Sequence, residues 1–109
     1  MIARTPQPPY YAVIFTSLQS QSTDGYAAMA EQMSNEVEQM EGFLGMEHAR
    51  DGVGITISYW KDEESIARWK AHRDHRIAQE KGKRDWYESY KVRVARVERD
   101  YGMNNAGLK

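Results

Sequence analysis

The chain has 109 residues, 40% hydrophobic and 28% charged, with a net charge of -1, which fits one domain and excludes two independent cores. This balanced charge argues against a general nucleic-acid or membrane-surface binder, and no apolar run approaches the roughly 20 residues of a membrane-spanning helix. There is no cysteine, so disulfide and thiolate chemistry are excluded. Together with an N-terminus lacking the apolar core of a signal peptide, this leads us to expect a cytoplasmic protein.

Residues 1–9 contain all three prolines and no periodicity, the pattern of a flexible arm. Tyr10 to Ser17 reads as a strand, with Tyr11, Val13 and Phe15 on one face and Tyr10, Ala12 and Ile14 on the other. Both faces are apolar, as in a sheet covered on both sides. Thr23 or Asp24 is the expected cap of the next helix. In that helix Tyr26, Met29, Ala30, Met33, Val37 and Met40 form an apolar stripe that Gly42 ends. The stripe reads as core rather than as a ligand wall.

Leu44 to Arg50 is a second, weaker strand. Asp51-Gly52 predicts a hairpin into a third strand, where Val53, Ile55, Ile57 and Tyr59 alternate with Gly54, Thr56, Ser58 and Trp60. Asp62 caps a second helix, and Glu63 and Glu64 in its first turn suit the helix dipole. Ile66, Trp69 and Arg73 lie along one side of it. Asp74 resembles a further cap, which predicts a break near Arg73 in a helix ending before Gly82. A helical turn over Arg84 to Tyr87 should lead into a last strand, Tyr90 to Tyr101. There the apolar phase slips between Val94 and Ala95, as at a β-bulge.

The order β-α-β-β-α-β, with right-handed crossovers, predicts an α+β ferredoxin-like fold over residues 10–102: a four-stranded antiparallel sheet with both helices on one face. Residues 103–109 form a tail. Two helices cover only one face of a sheet that is apolar on both, so a homodimer is expected to bury the other.

Several segments carry a family resemblance. They are Glu41-Gly42-Phe43-Leu44-Gly45, Tyr59-Trp60-Lys61-Asp62-Glu63-Glu64-Ser65-Ile66, then Trp69, His72 and His75, then Ala78-Gln79 and Gly82. The closing Arg93-Val94-Ala95-Arg96-Val97-Glu98-Arg99-Asp100-Tyr101-Gly102 adds to them. Together the chain resembles the antibiotic biosynthesis monooxygenase superfamily, and in particular a small bacterial subgroup of it. The resemblance implies a dimeric α/β barrel with a pocket between sheet and helices in each subunit. It also implies chemistry drawn from cofactor-independent monooxygenases of polycyclic phenols and quinols, quinol oxygenases and haem-degrading oxygenases. Trp69 matches a Trp that lines the pocket in several members. Haem degradation fits least: the first strand has no Asn, and Gln79 or Glu80 stands where a distal His is used.

Cofactor-free oxygenation needs a base, a flat electron-rich substrate and a dry pocket. His75 and His72 are the candidate catalytic bases, and Trp69, Phe15, Tyr59 and Trp86 are the candidate walls for a flat aromatic ligand. No metal is expected, because His48 is the only histidine left to join the pair. Lys81-Gly82-Lys83-Arg84 lacks the Gly-rich loop of a phosphate site. Two readings stay open: a cofactor-free oxidoreductase of an aromatic, phenolic or quinone compound, and a non-enzymatic ligand-binding or stress-associated protein of the same fold.

Overall fold

The computed structural model describes residues 2–21, 25–79, 86–104 and 107–108. Its elements are β1 (Tyr10–Gln19), α1 (Tyr26–Val37), β2 (Phe43–Asp51), β3 (Val53–Trp60), α2 (Glu63–Gln79) and β4 (Tyr87–Val97). A short ladder pairs β5 (Met103–Asn104) with β6 (Gly107–Leu108) inside the segment expected to be a plain tail. The main sheet is antiparallel in the order β2-β3-β1-β4. This is the ferredoxin-like arrangement that the element order predicts.

Register assigns the faces. Opposed residues share a face, and β1 pairs Tyr11 with Trp60, Val13 with Ser58 and Phe15 with Thr56. Trp60 stacks on Trp69 of α2, and Phe15 meets Tyr87, which in turn meets Tyr26 of α1. Both helices therefore cover the face that carries Tyr11, Val13, Phe15, Ser58 and Trp60. The opposite face carries Tyr10, Ala12, Ile14, Leu18, Val53, Ile55, Ile57 and Tyr59.

Local chemistry explains most boundaries. The hairpin forms at Asp51-Gly52, with Gly52 at φ 80°, and the Asp62 carboxylate accepts from the Ser65 N–H at 2.8 Å to cap α2. The expected caps Thr23 and Asp24 lie outside the described residues; the structure begins α1 after Gly25, which is left-handed. Helix α1 stops at Val37, three residues before Met40. The chain then tightens into three-residue turns, Gln39 N–H to Glu36 O and Met40 N–H to Val37 O.

Several expectations are corrected. Helix α2 runs unbroken from Glu63 to Gln79. Asp74 does not cap a new segment, because its carboxylate pairs with Lys70 one turn earlier at 2.7 Å, and no Gly or Pro interrupts the run. The bulge in β4 lies at its start: Leu18 opposes Ser89 while Gln19 opposes Tyr87, leaving Glu88 as the extra residue. Register from Ser89 to Val97 is continuous, so Val94 and Ala95 simply face opposite sides. The strand ends at Val97, opposite Tyr10, because Pro8 and Pro9 beyond it have no N–H for the ladder. Of the expected helical turn, Arg84 and Asp85 lie outside the described residues, and Tyr87 is already strand.

The N-terminal arm is docked on the sheet face opposite the helices. Ala3 N–H donates to Glu47 Oε2 at 2.9 Å, Thr5 Oγ1 to the Tyr10 hydroxyl at 3.0 Å, and that hydroxyl to Asp100. Only one end of the face is covered. At the other end Leu18, Ile55 and Val53 remain 39%, 42% and 46% exposed.

Gly42 fixes the approach of α2 to the sheet. It has φ 89°, its carbonyl accepts from the Lys61 N–H at 2.9 Å, and a Cβ there would run into the buried Ser65 side chain. Gly42→Ala should therefore lose about 2–5 kcal/mol, combining left-handed strain and overpacking, as read by urea unfolding. A change within error of zero would show that this junction is not tight.

Candidate functional site

The site is built outward from Trp60, which is fully buried at the end of β3. Its Nε1–H donates to Ser58 Oγ at 2.9 Å. Its ring lies edge-on to Phe43 at 5.4 Å and stacks on Trp69 at 6.4 Å and 27°. Trp69 in turn stacks on the His72 imidazole at 5.5 Å and 27°. His72 Nε2 lies 2.8 Å from Glu36 Oε1 on α1, and Arg76 Nη2 lies 3.1 Å from the other oxygen. At helical spacing Trp69, His72, Arg73 and Arg76 share one stripe of α2. His75 falls off this stripe and is exposed.

A second aromatic group adjoins this stack on the same face of the sheet. Phe15 touches Tyr87 at 5.3 Å and Tyr90 at 5.4 Å, while Tyr26 meets Trp86 and Tyr87 edge-on at 5.7 Å each. The Tyr87 hydroxyl donates to that of Tyr26 at 3.2 Å. Without the bulge at Glu88, Tyr87 and Tyr90 would project from opposite faces; the extra residue turns both toward Phe15. Burial, then the Tyr26 hydrogen bond, push the Tyr87 phenol up, while the positive charges of Arg50 and Arg73 act in the opposite sense. Tyr87 is thus a neutral donor at physiological pH.

The structure brings Trp69, His72, Phe15 and Trp86 to the helix-covered side. Tyr59 does not join them. It opposes Ala12 and lies on the other face, where its hydroxyl donates to Glu47 Oε1 at 2.8 Å and its ring meets Tyr10 at 5.8 Å. Sequence fixes alternation within a strand, but only inter-strand register says which face meets the helices. Glu36, Tyr26, Tyr87 and Arg50 were not singled out for the site. Glu36 had a readable signal. At about 100° per residue it falls within the Met29–Met33–Met40 stripe, a charge on an apolar face. No trio of metal-ligating side chains converges among the described residues. An open depression of about 310 Å³, lined by Thr16, Leu18, Val53, Ser89 and Lys91 with Ser17 and Tyr90, lies at the exposed end of the sheet and does not include Trp69 or His72. No helix among the described residues is long and apolar enough to cross a membrane.

Comparison with known proteins agrees with this architecture. The family model described as antibiotic biosynthesis monooxygenase matches residues 9–81. The chain is 50% identical over 100 residues to the uncharacterised protein YqjZ of Bacillus subtilis, covering 90% of this chain and 88% of that one. It is 35% identical over 92 residues to the jasmonate monooxygenase of Pyricularia oryzae, covering 80% of this chain but only 43% of that protein. Among solved structures, SnoaB, a cofactor-independent oxygenase from Streptomyces nogalater, superposes with a TM-score of 0.67 over 84% of this chain and 95% of its own. At 9% identity, that likeness speaks to fold alone.

The Tyr59 phenol provides a test of the face opposite the site. Burial first, then the hydrogen bond to Glu47 and its charge, push it from the ordinary 10.0 up to about 12. The folded state holds this proton more tightly than the unfolded chain, so the contribution is full below the unfolded value and is lost as pH rises through about 12. Urea midpoints should therefore fall between about pH 10 and 12, and less steeply in Tyr59→Phe. Parallel profiles for the two proteins would refute this.

Proposed function

We propose that this chain, which belongs to the antibiotic biosynthesis monooxygenase family, is a small oxygenase of a flat phenolic or quinol compound, with His72 as its base and no bound cofactor. The observation that carries the reading is the Trp60–Trp69–His72 stack, with His72 held by Glu36 across the helix pair. When Nε2–H donates to Glu36, the Nδ1 lone pair of the neutral imidazole is the proton acceptor, and the carboxylate stabilises the imidazolium that forms. Removing the phenolic proton raises electron density on the ring. Dioxygen then adds at a ring C–H carbon ortho or para to the phenolic oxygen, and His72 returns its proton to the peroxide. Loss of water leaves a second carbonyl, so that C–OH, C–H and O₂ become two C=O and H₂O. His75 is exposed and has no part in this step.

Oxygen uptake across a panel of quinols and polyphenols tests the reading. Turnover should fall about a hundredfold or more in His72→Ala and change little in His75→Ala. Equal rates in wild type and His72→Ala would remove His72 from the mechanism.

The non-enzymatic reading has one observation in its favour: Glu36 also binds Arg76, so the cluster acts as a brace between α1 and α2. If the brace is its whole role, His72→Ala will lower the melting temperature, and no member of the panel will be oxidised by the wild type.

The reading includes a homodimer. Leu18, Ile55 and Val53 lie on an apolar sheet face that neither helix reaches, and a second copy laid on it would bury more than about 1,000 Å². Light scattering at micromolar concentration should give twice the chain mass, and Ile55→Glu should give the monomer. A monomeric wild type would end this part of the proposal.

A further inference from the structure

We infer that Arg50 and Arg73 form an anion-recognising wall beside the aromatic cluster, so that the ligand of this site is a flat aromatic molecule bearing a carboxylate. The inference rests on the reading of the helix-covered face, where this cluster adjoins the Trp60–Trp69–His72 stack, as the ligand site and narrows its substrate class.

Arg50 leaves β2 opposite Gly54 of β3. Gly54 is buried, and a Cβ there would run into the guanidinium. The missing side chain lets Arg50 lie across β3 on the side that faces the helices, where its Nη2 donates to Ser17 Oγ of β1 at 2.7 Å. Ser17 is itself buried and opposes Tyr90 of the aromatic cluster. A guanidinium has five N–H donors, and among the described residues no carboxylate pairs with this one.

Arg73 comes from the opposite wall, one helical turn beyond Trp69. Its Nε is buried and donates to nothing among the described residues. Among those residues its ion-pair contact is the neighbouring Asp74 at 3.5 Å, whose carboxylate is held more closely by Lys70 at 2.7 Å. Glu36, the carboxylate on the inner side of α1, is already taken by His72 and Arg76.

Tyr87 lies within the fields of both guanidiniums, and its ring packs against Phe15, Tyr26 and Tyr90. A neutral phenol cannot balance two cations. Arg50 is exposed and presents its free N–H donors to solvent, whereas the buried Nε of Arg73 is an unmet donor. A carboxylate answers both with paired, charge-assisted hydrogen bonds that lysine could not match in geometry. The aromatic side chains then set the rest of the specificity: a flat apolar body attached to that anion.

Calorimetric titration of the full chain with naphthoate and with its neutral counterpart, naphthyl methyl ketone, tests the inference at neutral pH. Wild type should bind naphthoate about tenfold or more tightly than the ketone. Arg50→Gln and Arg73→Gln should each remove most of that preference and leave ketone binding unchanged. Arg99→Gln, an exposed charge in the C-terminal segment, should not matter. Equal affinity of wild type for the two probes, no binding of naphthoate, or equal losses in Arg99→Gln would each overturn the inference. Should Arg73→Gln fail to fold, Arg50→Gln decides alone, since its side chain lies on the sheet rather than in the helix packing. The titration reads no turnover. Acid preference in a protein that oxidises no phenol would sink the oxygenase reading alone, and turnover of neutral polyphenols without acid preference would sink this inference alone.

Discussion

The burial of Trp60 is the constraint on which the remainder of the domain depends. It ends β3, touches Phe43 at the start of β2 and supports Trp69 of α2, so one side chain fixes two strands and a helix. A fully buried indole is worth several kcal/mol in burial and packing, and its N–H is satisfied by Ser58 rather than left as a cost. Moving the β1–β3 register by one residue would send Trp60 to the other face and put Tyr59 beneath the helices. The observed register also carries Phe15 and Val13 to the helix side. The chemistry available to the site therefore follows from where this indole is buried.

The two faces of the sheet consequently take different roles. The helix-covered side gathers three indoles, an imidazole held by a carboxylate, several phenols and the guanidiniums of Arg50, Arg73 and Arg76. The other side is apolar over β1 and β3, with Lys91 and Arg93 along β4 and Glu47 on β2, which accepts from both Tyr59 and the N-terminal arm. A single carboxylate thus ties a segment expected to be mobile to the centre of the sheet. The arm stops short of Leu18, Ile55 and Val53, leaving that end apolar and uncovered.

Within the site, the bulge at Glu88 and the glycines at 42 and 54 matter more than any one reactive group. The bulge turns Tyr87 inward, Gly42 lets α2 approach, and Gly54 opens a path for Arg50. Each is a backbone device that decides where a side chain ends up. This is how a chain of mixed, nearly balanced charge concentrates positive charge beside neutral phenols.

Much of this was legible in the residues. The element order, the Asp51-Gly52 hairpin, the Asp62 cap and the apolar stripe of α1 follow from local rules, in which each signal and its effect lie within a few positions. The family resemblance was legible too, because it rests on contiguous segments. Placing the site required angles and registers. The turn angle along α2 separates His72 from His75 once Trp69 is known to face inward, and only packing against Trp60 shows that it does. The β4 bulge, the docking of the arm on Glu47, and the separation of Tyr59 from Phe15 all join residues distant along the chain. Sequence by itself determined the six main strands and helices and their order, because hydrophobic period, caps and turn residues act locally. Tertiary structure alone decided which face of each strand meets the helices, because that choice is made by pairing between strands and by what the buried indole excludes.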